Sequence, residues 1–143
     1  MASAPTLGQE LCVFSAVNGQ EIDAAFASFV QTQIGGLLVS GDPYFDGERD
    51  RLVALAARYS VPAIYQWREF TKIGGLLSYG TSVRDAYLQA GTYTSKILSG
   101  AKRSELLVLR PTRIEMVINL KTAAALGLAL RNDLLAGADA IIE

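Results

Sequence analysis

Residues 52–80, LVALAARYSVPAIYQWREFTKIGGLLSYG, constrain the fold more than any other stretch of the chain. They read in order as an amphipathic helix, a short apolar strand, an aromatic and polar loop, and a second apolar strand. In open α/β sheets, ligands bind in the loops at the carboxyl ends of parallel strands. Here those loops carry residues 65–69, YQWRE, after one strand and residues 78–80, SYG, after the next. The stretch therefore predicts an α/β unit with a small-molecule cleft at one end of its sheet.

Strands and helices alternate along the chain as far as residue 80. Apolar runs of strand length lie at residues 10–17, 35–40, 62–65 and 76–79. Apolar residues at helical spacing lie between them, at residues 21–33 and 48–59. Because the strands are apolar on both faces, we expect a parallel sheet that helices cover on both sides through right-handed crossovers.

The pattern changes after Gly80. A long amphipathic helix is predicted over residues 82–98. Two short strands follow, at residues 106–109 and 114–119, joined by too few residues for a helical crossover. We therefore expect these strands to be antiparallel or to belong to different sheets. Two short helices are predicted beyond them, over residues 120–126 and 132–136.

The composition fits one compact unit. Of 143 residues, 50% are hydrophobic and only 19% are charged, which is apolar enough to leave uncovered surface. The net charge is -1 and the basic residues are scattered, so we expect no nucleic-acid partner. No apolar run approaches the ~20 residues that span a bilayer, and the sequence begins without a hydrophobic export segment. As it stands, we expect the polypeptide to remain where it is made.

The residue types that most catalytic and metal sites need are missing. Histidine, a common general base and metal ligand, is absent from the sequence. The single cysteine, Cys12, lies in the apolar run LCVF and is predicted to be a buried small side chain rather than a reactive thiol. The glycine motifs of phosphate-binding loops and the GxSxG nucleophile motif are also absent. We therefore expect no catalytic residue, no metal and no cofactor.

Six residues near the predicted strand ends are candidates for binding a small ligand: Ser40, Asp42, Tyr44, Tyr65, Gln66 and Tyr79. The carboxylate of Asp42 could hold a ligand's ammonium group, or it could start a turn before Pro43. The ring of Tyr44 could form an aromatic wall of the cleft, or it could pack at the head of the following helix.

The loop after residues 62–65 combines stacking and hydrogen-bonding groups. Because side chains alternate along a strand, Tyr65 and Trp67 should point to one side and Gln66 to the other. One of the two aromatic side chains is expected to belong to the core. Arg68 is either solvated beside Glu69 or holds a carboxylate of the ligand or of the hinge.

Four stretches carry a resemblance to a known family: GGLLVSGDPYF, RLVALAARYSVPAIYQWREF, GGLLSYG and PTRIEMVINLKTAAALGL. Together they resemble the C-terminal part of the substrate-binding proteins of bacterial ATP-binding-cassette (ABC) importers, a group with tryptophan- and other amino-acid-binding members. The resemblance implies a two-lobed periplasmic binding protein type 1 fold, whose first lobe and export signal have no counterpart here. It implies that residues 1–80 are part of the second, ligand-binding lobe. Residues 81–143 would form a hinge-crossing helix, short strands and a return segment.

The resemblance also implies a function. Members bind an amino acid or a similar small organic molecule between their lobes, and an ABC permease recognises the closed form at the periplasmic face of the membrane. From one lobe alone we expect weak ligand binding or none, because the contacts of the opposite wall are missing. The alternative is a self-associating α/β structural or regulatory domain without a role in transport.

A further expectation concerns assembly. Without a first lobe, the helix predicted over residues 82–98 would expose an apolar stripe. The stripe consists of Val83, Tyr87, Ala90, Tyr93, Thr94 and Ile97. We therefore expect a homodimer in which a second chain covers the stripe, with the segment after Gly80 exchanged between the chains.

Overall fold

The computed structural model describes residues 8, 10–107 and 113–143. The chain divides into two compact units, Met1–Gln33 and Ile34–Glu143. The described part of the first unit contains one helix, and the second unit contains a five-stranded sheet with its helices. The expected α/β class is thus confirmed.

The first unit is built on helix α1 (Gly19–Thr32), which begins at a reciprocal cap. The side-chain oxygen of Asn18 accepts the backbone N–H of Glu21 at 2.9 Å. In return, the Glu21 carboxylate accepts the Asn18 side-chain amide at 2.8 Å and the Val17 N–H at 2.9 Å. These bonds satisfy N–H groups near the helix start that have no partner within the helix, and so they fix where α1 begins.

The segment before α1 differs from expectation. Residues 10–17 form no strand, because none of them joins the hydrogen-bonded ladder that a strand requires. Their apolar side chains remain exposed, Val13 at 72% and Val17 at 77%. Cys12 lies in the same segment and is exposed as well, so the prediction of a buried thiol is wrong.

In the second unit, strands and helices follow one another largely as predicted. The strands are β1 (Leu37–Leu38), β2 (Ala63–Tyr65), β3 (Leu77–Thr81), β4 (Ile114–Asn119) and β5 (Ala140–Ile142). The helices are α2 (Pro43–Gly47), α3 (Arg49–Arg58), α4 (Arg68–Lys72), α5 (Val83–Leu98), α6 (Leu120–Ala125) and α7 (Asn132–Ala136). A 3-10 turn lies at Arg103–Glu105. The first strand is shorter than the predicted run of residues 35–40.

The strands lie in the order β1-β2-β3-β4-β5. Strands β1, β2 and β3 are parallel, β4 runs antiparallel to β3, and β5 runs parallel to β4. The antiparallel partner of β4 is β3, a pairing that was not predicted. Of the other predicted short strand, Leu106 and Leu107 are not in a strand, and residues 108–109 lie outside the described residues.

One face of the sheet carries the core. Ala63 and Tyr65 of β2, Ser78 of β3 and Val117 of β4 point to this face, and each is 1% exposed. Helix α4 packs against β2, β3 and β4. Its Phe70 side chain is 2% exposed, which places α4 firmly in the core.

The opposite face is partly open. Leu38, Ile64 and Tyr79 alternate onto it, and they are 73%, 39% and 57% exposed. The expectation of a sheet covered on both sides is therefore wrong at these three strands. An exposed apolar sheet face of this kind is a surface available for contact with other molecules.

Side-chain hydrogen bonds join the end of β4 and the start of α6 to helix α4 and the loop that follows it. Asn119 caps α6 by accepting the N–H of Thr122 at 3.1 Å, and its amide donates to the Thr71 carbonyl at 3.1 Å. The Thr122 hydroxyl donates to the Gly74 carbonyl at 2.8 Å. The segment INLKT thus supplies both a helix cap and the partners of buried backbone groups.

Helix α5 belongs to a long excursion from the sheet. The chain leaves the sheet at Thr81 and returns at Ile114, and these two residues pair directly in the β3–β4 ladder. Ser82 caps α5 by accepting the N–H of Asp85 at 3.2 Å. No residue of α5 is buried.

Asp139, just before β5, anchors the first residues of β4. Its carboxylate accepts the N–H of Met116 at 2.9 Å, and the Arg113 guanidinium lies 3.4 Å away. The bond from the Met116 backbone, assisted by Arg113, lowers the pKa of the Asp139 carboxyl below its ordinary value. These contacts fix the first residues of β4 beside β5.

Candidate functional site

Three strand ends meet at Gln66. This residue follows β2, Gly41 lies beyond the end of β1, and Gly80 lies near the end of β3. A Cβ atom at Gly41 would lie 1.2 Å from the Gln66 Oε1, and one at Gly80 would lie 2.2 Å from the Gln66 carbonyl oxygen. The two glycines therefore leave the space that Gln66 occupies. The neighbours of Gly41, Ser40 and Asp42, lie at the same end of the sheet as Gln66.

Ser40 and Asp42 are both exposed. Asp42 is the N-cap of α2, and its Oδ1 accepts the N–H of Tyr44 at 2.8 Å, with Pro43 at the first helical position. The interpretation of Asp42 as a turn starter is thus confirmed. Its Oδ2 makes no hydrogen bond to the described residues, so the same carboxylate retains a second acceptor.

Tyr44 lies on α2, where its ring packs 5.6 Å from that of Phe45. Both side chains are half-buried. The neighbouring Asp46 accepts the indole N–H of Trp67 at 3.0 Å. This hydrogen bond links α2, which follows β1, to the loop that follows β2.

Tyr65 lies in the core and not at the exposed end of its strand. It is 1% exposed, and its ring stacks on Phe70 with centroids 4.6 Å apart and an interplanar angle of 14°. The ring also lines a small cavity that Val53 and Leu126 border. Its hydroxyl is buried without a hydrogen-bond partner among the described residues, and burial raises the pKa of this hydroxyl.

Tyr65 and Tyr79 point to opposite faces of the sheet. Tyr65 pairs with Ser78 in the ladder, so Tyr79, the next residue, projects to the other side and is 57% exposed. The structure therefore brings Ser40, Asp42 and Gln66 to one end of the sheet. It does not bring Tyr65 and Tyr79 together on one surface.

An ion pair that sequence reasoning found only in part borders this end of the sheet. Arg68 Nη1 donates to Glu115 Oε1 at 2.7 Å, and Glu115 lies opposite Gly80 in the ladder. Arg68 is therefore paired with the carboxylate of Glu115 rather than solvated beside Glu69. Its binding to a ligand carboxylate stays a prediction. Glu115 itself was not predicted, because it lies 47 residues from Arg68 and only the β3–β4 register brings it there.

The described residues show neither a metal-binding cluster nor a helix that could span a membrane. Within the described ranges, no group of three or more His, Cys, Asp or Glu side chains is arranged to hold a metal ion. No helix among the described residues has the length and apolar character needed to cross a bilayer.

The architecture is similar to several solved structures. A conserved domain protein from Vibrio cholerae O1 biovar eltor superposes with a TM-score of 0.85 at 20% sequence identity, over 97% of this chain and 47% of that chain. The ABC domain in complex with L-Trp from Streptococcus pneumonia gives 0.85 at 22% identity, over 99% and 49%. A ligand-free, open substrate binding protein with adhesive properties from Clostridium difficile gives 0.65 at 18% identity, over 99% and 46%.

These likenesses confirm the periplasmic binding protein-like fold, and the chain spans about half the length of each of these solved chains. A comparison with curated proteins gave no match. A family model described as ABC transporter substrate binding protein matches residues 1–142. The chain therefore belongs to the family of ABC transporter substrate binding proteins.

Proposed function

We propose that this chain supplies one wall of a solute-binding cleft and that the solute is an amino acid or a similar small organic molecule. The observation that carries the proposal is the meeting of three strand ends at Gln66. Parallel strands present their carboxyl ends to ligands in folds of this class. The L-Trp bound by the similar Streptococcus pneumonia domain supports an amino acid as the first ligand to test.

Each predicted residue has a role in this proposal. The free oxygen of Asp42 would hold an ammonium group, and the Gln66 amide and the Ser40 hydroxyl would bond to polar groups of the ligand. Tyr44 and Tyr79 would contact its apolar part from two sides. Tyr65, buried under the strand end, would support the Gln66 loop through its stack on Phe70.

The wider role follows from the family. A second lobe would close over the ligand, and the closed form would be recognised by an ABC permease at the periplasmic face of the membrane. Closure is driven by the ligand only to the extent that it binds the closed state more tightly. The proposed role is binding without catalysis. A self-associating structural or regulatory α/β domain is the alternative.

We expect L-tryptophan and other amino acids to bind the 143-residue chain weakly, with dissociation constants of about 1 mM or above, because one wall supplies about half of the contacts of a closed cleft. Amide chemical shifts in ¹⁵N-labelled chain, followed during titration, would measure this. The shifts should concentrate on Gly41, Gln66 and Gly80. A tight one-to-one complex would instead favour a self-contained module, and no shift with any amino acid would contradict the proposal.

A matched pair of variants tests the location. In Gly41→Ala, the new methyl group takes the place of the Gln66 amide, which must rotate away at little cost because it is the end of a flexible side chain. Ligand-induced shifts should be lost. In Gly35→Ala, the new methyl group meets no atom within 4 Å, and the shifts should persist. Equal behaviour of the two variants would argue against a site at Gln66.

We also propose that two copies associate through helix α5. No residue of this helix is buried, and its large apolar side chains are exposed, Tyr87 at 76% and Leu98 at 83%. A second copy, with its segment after Gly80 exchanged, would cover the same stripe on both chains at once. The stripe lies on the segment between β3 and β4, outside the five-stranded sheet.

Light scattering at micromolar concentration is expected to give the mass of a dimer. Tyr87→Glu or Ile97→Glu should shift the chain to monomer, because each buries a charge in the contact. Lys96→Glu, nine residues beyond Tyr87 and so on the opposite side of the helix, should leave the dimer intact. A parent chain that is monomeric throughout would refute this arrangement.

A further inference from the structure

Arg68 is held in a fixed position at the candidate site. It is the first residue of α4, two residues after Gln66. Its bond to Glu115 is 2.7 Å long, and the side chains of Arg68 and Glu115 are 40% and 14% exposed. Glu115 lies opposite Gly80, and a Cβ atom added at Gly80 would lie 2.2 Å from the Gln66 carbonyl oxygen. The guanidinium is thus anchored at the carboxyl end of β3 with part of its surface accessible.

The bond to Glu115 leaves one edge of the guanidinium without an acceptor among the described residues. A guanidinium carries five N–H donors, and the Nε and Nη2 groups on one edge can bind a carboxylate through two parallel bonds. Glu115 uses Nη1, which lies off that edge. The Nε of Arg68 is buried and has no acceptor among the described residues. A buried donor without an acceptor is unfavourable, so this edge is suited to an acceptor that a bound molecule brings.

We propose that Arg68 binds a carboxylate of the ligand through its Nε and Nη2 edge, with Glu115 as the positioning residue. This inference rests on the proposed function and adds a specificity-determining residue: Arg68 favours ligands that carry a carboxylate over simple amines. Glu115 cancels part of the positive charge of Arg68. Selectivity then comes from the geometry of the fork rather than from net charge alone.

The test compares three ligands that share an indole ring. L-tryptophan has both charged groups, tryptamine lacks the carboxylate and indole-3-propionate lacks the ammonium. The measurement is the initial slope of the Gly80 amide shift against ligand concentration in the 143-residue chain. In Arg68→Gln, the slopes for L-tryptophan and indole-3-propionate should fall about tenfold, and the slope for tryptamine should stay the same.

Two further variants separate binding from structural support. Glu115→Gln removes the charge of the ion pair but keeps an Oε1 that can accept the Arg68 Nη1–H and hold the guanidinium in place, so both acids should still bind. Arg68→Lys keeps a positive charge but has no bidentate edge, so it should not restore full binding of the acids. Thermal unfolding of all variants reports any general loss of structure.

The outcomes distinguish the inference from the function on which it rests. If Arg68→Gln and Glu115→Gln weaken all three ligands alike, the ion pair only supports the fold and the inference is wrong. If L-tryptophan shifts the Gly80 signal equally in the parent and in Arg68→Gln, the proposed function stands and the inference again fails. If no indole ligand or amino acid shifts the parent chain, both fail together.

Discussion

Replacing Tyr65 by alanine is expected to lower the free energy of unfolding by about 4 kcal/mol, the largest effect that we expect of a single substitution in this chain. The side chain is 1% exposed, and its ring stacks on Phe70 at 4.6 Å. Alanine would leave a cavity next to the one that already lies there, bordered by Val53 and Gly75. Denaturant unfolding followed by far-UV circular dichroism would measure the loss.

Tyr65→Phe is the matched control, because it keeps the ring and removes only the hydroxyl. That hydroxyl is buried without a partner among the described residues, so its removal should raise stability by about 1 kcal/mol or leave it unchanged. The same variant should bind ligand as the parent does if Tyr65 supports the site from below. A loss of stability of more than about 1 kcal/mol in Tyr65→Phe would show that the hydroxyl is bonded in solution.

Gly80→Ala should lower the free energy of unfolding by about 3 kcal/mol, at the upper end of what overpacking usually costs. The added Cβ would lie 2.2 Å from the Gln66 carbonyl oxygen and 2.9 Å from its Cγ. Unlike the amide that faces Gly41, this oxygen belongs to the backbone and cannot rotate away. Relief would require β3 to move away from the end of β2, and chemical denaturation would report the loss.

Gly91→Ala provides the comparison for that experiment. Gly91 lies within α5, and a Cβ atom there would meet nothing within 4 Å. Alanine should stabilise the helix by up to about 1 kcal/mol, because glycine is the poorer helix former. If Gly80→Ala and Gly91→Ala unfold at the same denaturant concentration, the close approach of β3 to Gln66 is not a constraint in solution.

Local sequence signals were sufficient to predict most of the helices and the parallel strands. Apolar residues at helical spacing over 21–33, 48–59 and 82–98 predicted α1, α3 and α5. This spacing is a local signal that does not depend on the pairing of strands. Helices α2 and α4, each of five residues, were not predicted. The antiparallel pairing of β4 with β3 was not predicted, because it joins residues on either side of the long segment that contains α5 and depends on strand register rather than on a local signal.

Features that depend on strand register could not be predicted from local sequence signals. The side to which Tyr65 points depends on where β2 begins, and a shift of one residue would exchange the core face for the open face. The pairing of Arg68 with Glu115 depends on the β3–β4 register across a long excursion. Residues 10–17 have the composition of a strand, but a strand forms only where a neighbouring strand completes its hydrogen bonds.

Thr81 and Ile114 pair directly in the ladder, so the geometry of the sheet does not depend on the length of the chain between them. Residues 82–113 leave and rejoin the ladder at neighbouring positions, so they form a closed loop whose ends the sheet itself holds. The entropy of closing such a loop grows only with the logarithm of its length, and doubling the length costs about 0.6 kcal/mol. Insertions and deletions in this segment are therefore nearly neutral for the sheet. Evolution could lengthen, shorten or replace the excursion while the strand ends at Gln66 keep their geometry.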